Sequence, residues 1–254
     1  NMQFGLIAGM AVSELKPVFA VYSSFLQRSY DQLIHDIAIQ NFPVTICIDR
    51  AGIVGEDGET HQGIYDVAYL QHIPNVVIMA PHNSKEAGDL LYTAFKYNLP
   101  CAIRYSRKRI EYSNSKYRNI KIGSWEEIKK GSDGVIITYG DLVDKAVEIS
   151  CMLSKDEYSI GVINARFIKP FDEEMFKKIL KFNKKVFVYE EVATIGSLGE
   201  RLCSYALNNG YKNDIICYAI PDKFIEHGHY DEVMKKLELN VNSIYKKIKE
   251  RIRE

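Results

Sequence analysis

No stretch of this sequence approaches the roughly 18 consecutive apolar residues that a membrane-spanning helix needs. No secretory leader is visible either, so the sequence alone predicts a cytoplasmic protein. An excess of one charge is also missing, since Lys+Arg and Asp+Glu both number 33 and the formal net charge is zero. That balance argues against a nucleic-acid or anionic-membrane binder acting through bulk charge, although local basic patches remain open. Paired cysteines are lacking too. Cys47, Cys101, Cys151, Cys203 and Cys217 form no CxxC, and their spacing fits neither a zinc site nor a disulfide scaffold. Four of them lie in apolar segments, which predicts buried, reduced thiols acting as small hydrophobes. Internal repeats and low-complexity tracts are absent.

What is present is enough for a sizeable core: 254 residues, 46% of them hydrophobic, suffice for one large domain or two of ordinary size. Apolar runs of strand length alternate with longer amphipathic segments. Strands are expected over 16–24, 42–49, 75–80 and 100–106, with helices over 25–41 and 65–73 and another after 81, capped by Asn83 or Ser84. A second series follows, with strands at 134–140, 158–164, 185–190 and 214–220 and helices at 142–154, 171–182 and 196–208. The charged tail from 241 reads as a helix with a solvated face. This alternation predicts an α/β protein of two open, mostly parallel-sheet domains with right-handed crossovers. The basic, turn-rich stretch after 107 reads as the join, giving domains at 1–107 and 126–254 with a linker over 108–125. The first segment, "NMQFGLIAGMAV", enters an apolar helix-like pattern without a lead-in, so the natural protein is expected to be longer.

Open parallel sheets bind ligands at the carboxyl ends of their strands, and the informative side chains cluster there. Tyr22, Phe25 and Arg28 follow the first strand; Arg104 and Arg107 follow the fourth. After the second comes "IDRAGIVGEDGETHQGIYD" (48–66), with Asp49, Arg50, Asp57, His61 and four glycines. Arginine forks suit phosphate or carboxylate, a histidine can shuttle a proton near neutral pH, and glycines let backbone pass close to a ligand. Each residue has a plainer reading: Arg50 as the partner of Asp49, His61 as a turn residue, Phe25 as core, Arg104 as a strand cap or partner of an acid. In the second half, "EEVATIGSLGERL" is a weak anion-site signal at a helix start, and His227 and His229 form a loose metal signal.

The segment from "VYSSFLQRSYDQ" through "DRAGIVGEDGETHQG" resembles the 1-deoxy-D-xylulose-5-phosphate synthase family, transketolase-like enzymes that use thiamine diphosphate. "RYSR", "NARFIKPFDEEM", "VYEEVATIGSLGE" and "IPDKFIEHG" extend the resemblance over nearly the whole chain. It implies a pyrimidine-binding domain followed by a transketolase-type C-terminal domain, in the C-terminal portion of a homodimeric enzyme. It further implies condensation of pyruvate with glyceraldehyde 3-phosphate with loss of carbon dioxide, for isoprenoid and thiamine precursor synthesis. Carried over by position, Phe25 would bind the cofactor ring. Tyr22, Arg50 and Arg107 would bind the acceptor phosphate. Arg28, Asp57 and His61 would face the substrates, with His61 and Asp57 catalytic. Where the family reads "RYPRG", this chain has "RYSRK", with Ser106 and Lys108 flanking Arg107.

Two parts that the family uses are not found. No GDG occurs, so the diphosphate and its magnesium ion are expected on an N-terminal domain, and the glutamate that activates the cofactor's pyrimidine is expected ahead of the "AGMAV" segment. The chain by itself is therefore expected to be inactive. It is either a piece of the synthase or the C-terminal subunit of a split transketolase-like enzyme. A non-catalytic binding protein that kept the fold is the third reading, opposed by the full set of loop residues.

Overall fold

The computed structural model describes residues 2–253, excluding the side chain of Met2. The first half runs α1 (Met2–Val12), β1 (Val18–Tyr22), an irregular helical stretch, β2 (Thr45–Asp49), α4 (Asp66–Gln71), β3 (Val77–Met79), α5 (Ser84–Lys96) and β4 (Cys101–Arg104). The irregular stretch comprises α2 (Ser23–Leu26), a 3-10 turn (Gln27–Ser29), α3 (Tyr30–Gln32) and a π-helical segment (Leu33–Ala38). The second half contains β5 (Glu126–Lys129), β6 (Gly134–Thr138), α6 (Leu142–Lys155), β7 (Ile160–Asn164), β8 (Phe167–Lys169), α7 (Glu173–Phe182), β9 (Lys185–Ala193), α8 (Leu198–Asn208), β10 (Asp214–Ile220), α9 (Tyr230–Lys236) and α10 (Val241–Arg253).

These strands form two five-stranded open sheets, ordered β1-β2-β4-β3-β8 and β10-β9-β6-β7-β5. Four strands of each are parallel, and one edge strand in each, β8 or β5, is antiparallel. The predicted α/β class with two mostly parallel sheets is observed. The sheets are not separate, however. Residues 160–169 pass from β7 in the second sheet to β8 in the first, where Phe167 registers with Met79. Backbone bonds Ala165 N–H to Thr138 O (2.7 Å) and Ala80 N–H to Arg166 O (2.9 Å) fasten the crossing. One buried apolar cluster accordingly runs from Phe4, Ile46 and Val67 through Trp125 and Phe176 to Val188 and Leu202.

Several expectations need correcting. The helix expected over 25–41 is broken into short α, 3-10 and π turns, although Leu26, Leu33 and Ile37 still face the core. Strands β5 and β8 have no counterpart in the expected pattern; "EEIK" and "FIK" are too short for a periodicity to declare itself. The charged tail is not a merely solvated helix: Ile244 and Ile248 of α10 are fully buried, packed in the cluster that includes Ile149 and Leu153 of α6. Of the cysteines only Cys101 is fully buried; Cys151 is exposed, and Cys47, Cys203 and Cys217 are half-buried. Asn83 does cap α5, its side chain accepting the Glu86 N–H at 2.9 Å.

The stretch 105–121 has no regular secondary structure, yet it is strapped to α5. Asp89, 1% exposed, accepts the Arg118 N–H (2.9 Å) and Arg118 Nε (3.1 Å), and receives Lys85 Nζ at 2.9 Å. Thr93 Oγ1 accepts the Ile120 N–H at 2.9 Å. Burial pushes the Asp89 carboxyl up, but these donors together hold it below the ordinary carboxylate range. A depressed folded-state value means stability present above the unfolded pKa and lost as pH falls through the folded one. Asp89→Asn is therefore predicted to cost about 1–3 kcal/mol near neutrality and to speed proteolytic cleavage within 107–119. The gap between variant and parent should narrow below about pH 4; urea unfolding at several pH values checks this, and a gap independent of pH would contradict it.

Candidate active site

Parallel strands β1, β2 and β4 end side by side, and their exits carry the predicted site residues. Tyr22 closes β1, and Phe25 is the third residue of α2. Their rings stack with centroids 5.2 Å apart and 19° between planes. The His61 ring meets the Phe25 edge at 5.3 Å, and the Arg50 guanidinium lies 3.9 Å from the Tyr22 ring centroid. Phe25 is 49% exposed, so it is not the core residue that its place in an apolar run permitted. Its open face borders a groove lined by Gln3, Phe19, Val21, Tyr22 and Arg28. An aromatic face left in water at a strand exit is a platform for another flat, partly apolar group.

The glycine-rich segment that supplies Arg50 and His61 folds back on itself. Gly52 and Gly63 exchange backbone bonds of 2.7 and 2.8 Å, closing a loop from their own paired backbone. A Cβ on Gly63 would lie 2.0 Å from the Arg50 carbonyl oxygen, so only glycine permits that closure. Arg50 adopts φ 56°, a left-handed conformation uncommon outside glycine. Asp49 stabilises it from two sides, accepting the Arg50 N–H at 2.7 Å and Nη1 at 2.6 Å. The plain reading of Arg50 as partner of Asp49 is therefore correct, and the same guanidinium also covers Tyr22. Thr60 Oγ1 lies 2.9 Å from His61 Nδ1, leaving Nε2 as the ring nitrogen without that contact.

The loop's outer part leans on the second half of the chain. Gln62, 3% exposed, accepts the Val54 N–H at 2.8 Å and points Nε2 at the Ile225 and Glu226 carbonyls. The Gly228 N–H reaches Gly55 O at 3.2 Å. Glu191 Oε1 accepts the Ile53 N–H at 2.6 Å, while its Oε2 accepts the Tyr230 hydroxyl at 2.6 Å and Lys145 Nζ donates to that hydroxyl at 2.6 Å. Ile53, Lys145, Glu191 and Tyr230 border a cavity of about 480 Å³ between the two halves, which Arg107 and Lys108 also line. Enclosure raises the Glu191 carboxyl above its ordinary range, against the pull of Tyr230, Lys145 and the Ile53 N–H, and lowers the Lys145 ammonium.

Beside it, Glu190 is fully buried and accepts three donors: Tyr139 Oη (2.8 Å), the Leu198 N–H (3.0 Å) and the Gly199 N–H (2.7 Å). The helix start in "EEVATIGSLGERL" does bind an anion, but the anion is the chain's own carboxylate. Arg104 pairs with the buried Asp66 (Nε–Oδ2 2.9 Å) and lies 5.5 Å from the Tyr139 ring centroid, so its plain reading as partner of an acid is the observed one. His227 and His229 are exposed, and no group of three or more His, Cys, Asp or Glu side chains among the described residues is arranged for a metal ion.

The structure thus gathers Tyr22, Phe25, Arg28, Arg50 and His61 around one aromatic face and groove. Asp57 and Arg107 instead pair with each other at 3.3 Å, joining the glycine loop to the exit of β4. Sequence reasoning passed over Gln62, Lys145, Glu191 and Tyr230, the residues that hold the loop from outside. The doubled glutamate of "VYEEVA" was their one visible signal, since acids at the end of an apolar strand require partners.

Residues 2–112 match the family model described as transketolase, pyrimidine binding domain, and residues 123–244 match transketolase, C-terminal domain. The 1-deoxy-D-xylulose-5-phosphate synthase of Halalkalibacterium halodurans is 44% identical over 94% of this chain and 39% of that protein. That of Bacillus cereus is 42% identical over 96% of this chain and 39% of the relative, so the chain spans about two fifths of the length of these curated relatives. Among solved structures, a chain described as split gene transketolase, inactive beta4 tetramer, superposes with a TM-score of 0.87 at 22% identity, covering 98% of this chain and 80% of that one. Transketolase from Campylobacter jejuni gives 0.76 at 20% identity, over 92% of this chain and 35% of that one. With consecutive transketolase domains over both halves and the "FLQR" and "DRAGIVGEDGETHQG" segments meeting on one aromatic face, the chain belongs to the transketolase-like family, and its sequence is similar to the 1-deoxy-D-xylulose-5-phosphate synthases within it.

Proposed function

We propose that this chain supplies the pyrimidine-binding and C-terminal domains, 1–107 and 126–254, of a cytoplasmic 1-deoxy-D-xylulose-5-phosphate synthase, a homodimer in its complete form. The reaction joins pyruvate to glyceraldehyde 3-phosphate with loss of carbon dioxide. The observation that carries this reading is the open Phe25 ring, flanked by Tyr22 and His61 with the Arg50 guanidinium alongside. A half-exposed ring beside a groove fits the flat pyrimidine of thiamine diphosphate, and Phe25 would hold it. When bound, that cofactor supplies the electron sink for decarboxylation and carbon–carbon bond formation. We assign the diphosphate and magnesium to the family's N-terminal domain, because the GDG signature that holds them in the family does not occur in this sequence.

The chain's own residues then divide the work. Arg50 and Arg107 offer forked donors to the acceptor's phosphate, together with Tyr22, whose ring lies against the Arg50 guanidinium. Arg107 would exchange its Asp57 partner, 3.3 Å away, for the phosphate. Arg28, which makes no ion pair among the described residues, is free to orient the pyruvate carboxylate. His61 would give a proton to the oxygen of the acceptor aldehyde as negative charge develops there.

Three outcomes test the reading. Thiamine-diphosphate-dependent turnover of the two substrates should be nil with this chain alone and appear when an N-terminal synthase half is supplied; absence of product from both the combined and the full-length forms would refute it. Arg50→Ala, assayed in the combined protein, should raise KM for the phosphorylated acceptor about 10- to 150-fold, the equivalent of a lost charge-assisted bond, with little change for pyruvate. Equal losses for both substrates would remove the phosphate role. Gly63→Ala places a Cβ against the Arg50 carbonyl and should lower kcat by about 100-fold or more through displacement of Arg50 and His61.

A further inference from the structure

Two of the five free cysteines stand together, away from the aromatic face. Cys203 lies on α8 and Cys217 on β10, and their sulfurs are 3.7 Å apart. Both are half-buried, so a small oxidant can reach them. Both also sit on regular elements that hold the two sulfurs in register. The surroundings favour contact between the pair. Gly199, one helical turn before Cys203, has no side chain, and a Cβ there would fall 2.7 Å from Cys217 Sγ and 2.9 Å from Glu190 Oε2. The Cys217 thiol is therefore lodged between the start of α8 and Cys203. A hydrogen bond from Cys217 holds the Cys203 thiol down at about 7, against burial and the Glu190 and Glu200 carboxylates. The same bond and burial push the Cys217 thiol up. Cys217, wedged beside Gly199 and in contact with Cys203, is the more confined sulfur, which makes Cys203 the one placed to meet an oxidant first and Cys217 its resolving partner.

We propose that Cys203 and Cys217 form an oxidation site that reacts with hydroperoxides and closes to an intramolecular disulfide. The Cys203 thiolate attacks one peroxide oxygen; an S–O bond forms, the O–O bond breaks and hydroxide leaves, giving a sulfenic acid. The Cys217 sulfur then attacks Cys203 Sγ; an S–S bond forms, the S–O bond breaks, and the Cys217 proton departs with the oxygen as water. The hydroxide takes up the proton that Cys203 had lost, so two thiols and one hydrogen peroxide give one disulfide and two waters. A covalent bond needs the sulfurs at about 2.05 Å, a small approach for side chains that already touch. The link would tie the middle of α8 to β10 directly behind Glu190, the carboxylate that holds the start of α8 and the Tyr139 hydroxyl. In a reducing cytoplasm such a bond is transient, reversed by thiols.

The test uses this chain with stoichiometric hydrogen peroxide, followed by intact-mass and peptide-map analysis. The expected product has lost two hydrogens, carries a Cys203–Cys217 cross-linked peptide, and regains two titratable thiols with dithiothreitol. Cys217→Ser should stop the cross-link and leave Cys203 as a sulfenic acid trapped by dimedone, while Cys203→Ser should show neither product. Circular dichroism of each variant verifies folding, and the thiol count on the unsubstituted protein decides the matter if a variant does not fold. Oxidation confined to the exposed Cys151, cross-links only between chains, or an unchanged thiol count would overturn the proposal.

Discussion

Two consecutive carboxylates at the end of β9 set the arrangement of nearly everything around the site. Successive side chains of a strand point to opposite faces, so Glu190 and Glu191 leave β9 in different directions. Glu190 turns inward to the first N–H groups of α8 and the Tyr139 hydroxyl. Glu191 turns toward the glycine loop and accepts the Ile53 N–H and the Tyr230 hydroxyl. A carboxylate taken out of water without donors is disfavoured, and Glu190 is fully buried while Glu191 is half-buried at the cavity wall. Each glutamate therefore fixes the position of whatever supplies its donors: a helix start and an aromatic hydroxyl in one case, a loop from the other half of the chain in the other.

That constraint makes the two halves one structure. The residues of the aromatic face all belong to the first half, but the loop bearing Arg50 and His61 is positioned from the second, by Glu191, Gly228 and the carbonyls that Gln62 meets. The passage of the chain from β7 to β8, one strand in each sheet, adds a main-chain fastening to these side-chain ones. The buried Arg104–Asp66 pair completes the seam, ending β4 against the start of α4 and facing Tyr139 across it. A loop holding an arginine in a left-handed conformation needs such external support, since isolated backbone would relax to a commoner state.

Much of this was legible in the sequence for definite reasons. Alternating runs such as "FPVTICID" and "NSKEAGDLLYTAFK" carry strand and helix periods long enough to be read; the predicted α/β class and order of main elements match the structure, and of the two caps offered for α5, Asn83 or Ser84, the first is observed. Gathering of Tyr22, Phe25, Arg50 and His61 was foreseeable because parallel strands deliver their exits to one edge. What escaped notice were elements of a few residues, β5 and β8, whose strand character comes from pairing with β7 and β3 rather than from their own side chains. The apolar face of α10 was masked by its charges, because only Ile244 and Ile248 are fully buried while lysines and arginines surround them in sequence.

The amino-acid sequence by itself determined the class of fold, the two-part organisation and the set of chemically capable side chains, because periodicity, glycine placement and residue type are local properties. Tertiary structure alone decided which of those side chains touch. It placed Phe25 open to solvent rather than in the core, paired Arg107 with Asp57 rather than with the ring group, and filled the anion site at the start of α8 with Glu190. It also brought the Cys203 and Cys217 sulfurs to 3.7 Å. Each of these outcomes depends on contacts between segments far apart along the chain or on opposite elements, where distance is set by packing and by the need to satisfy buried charge.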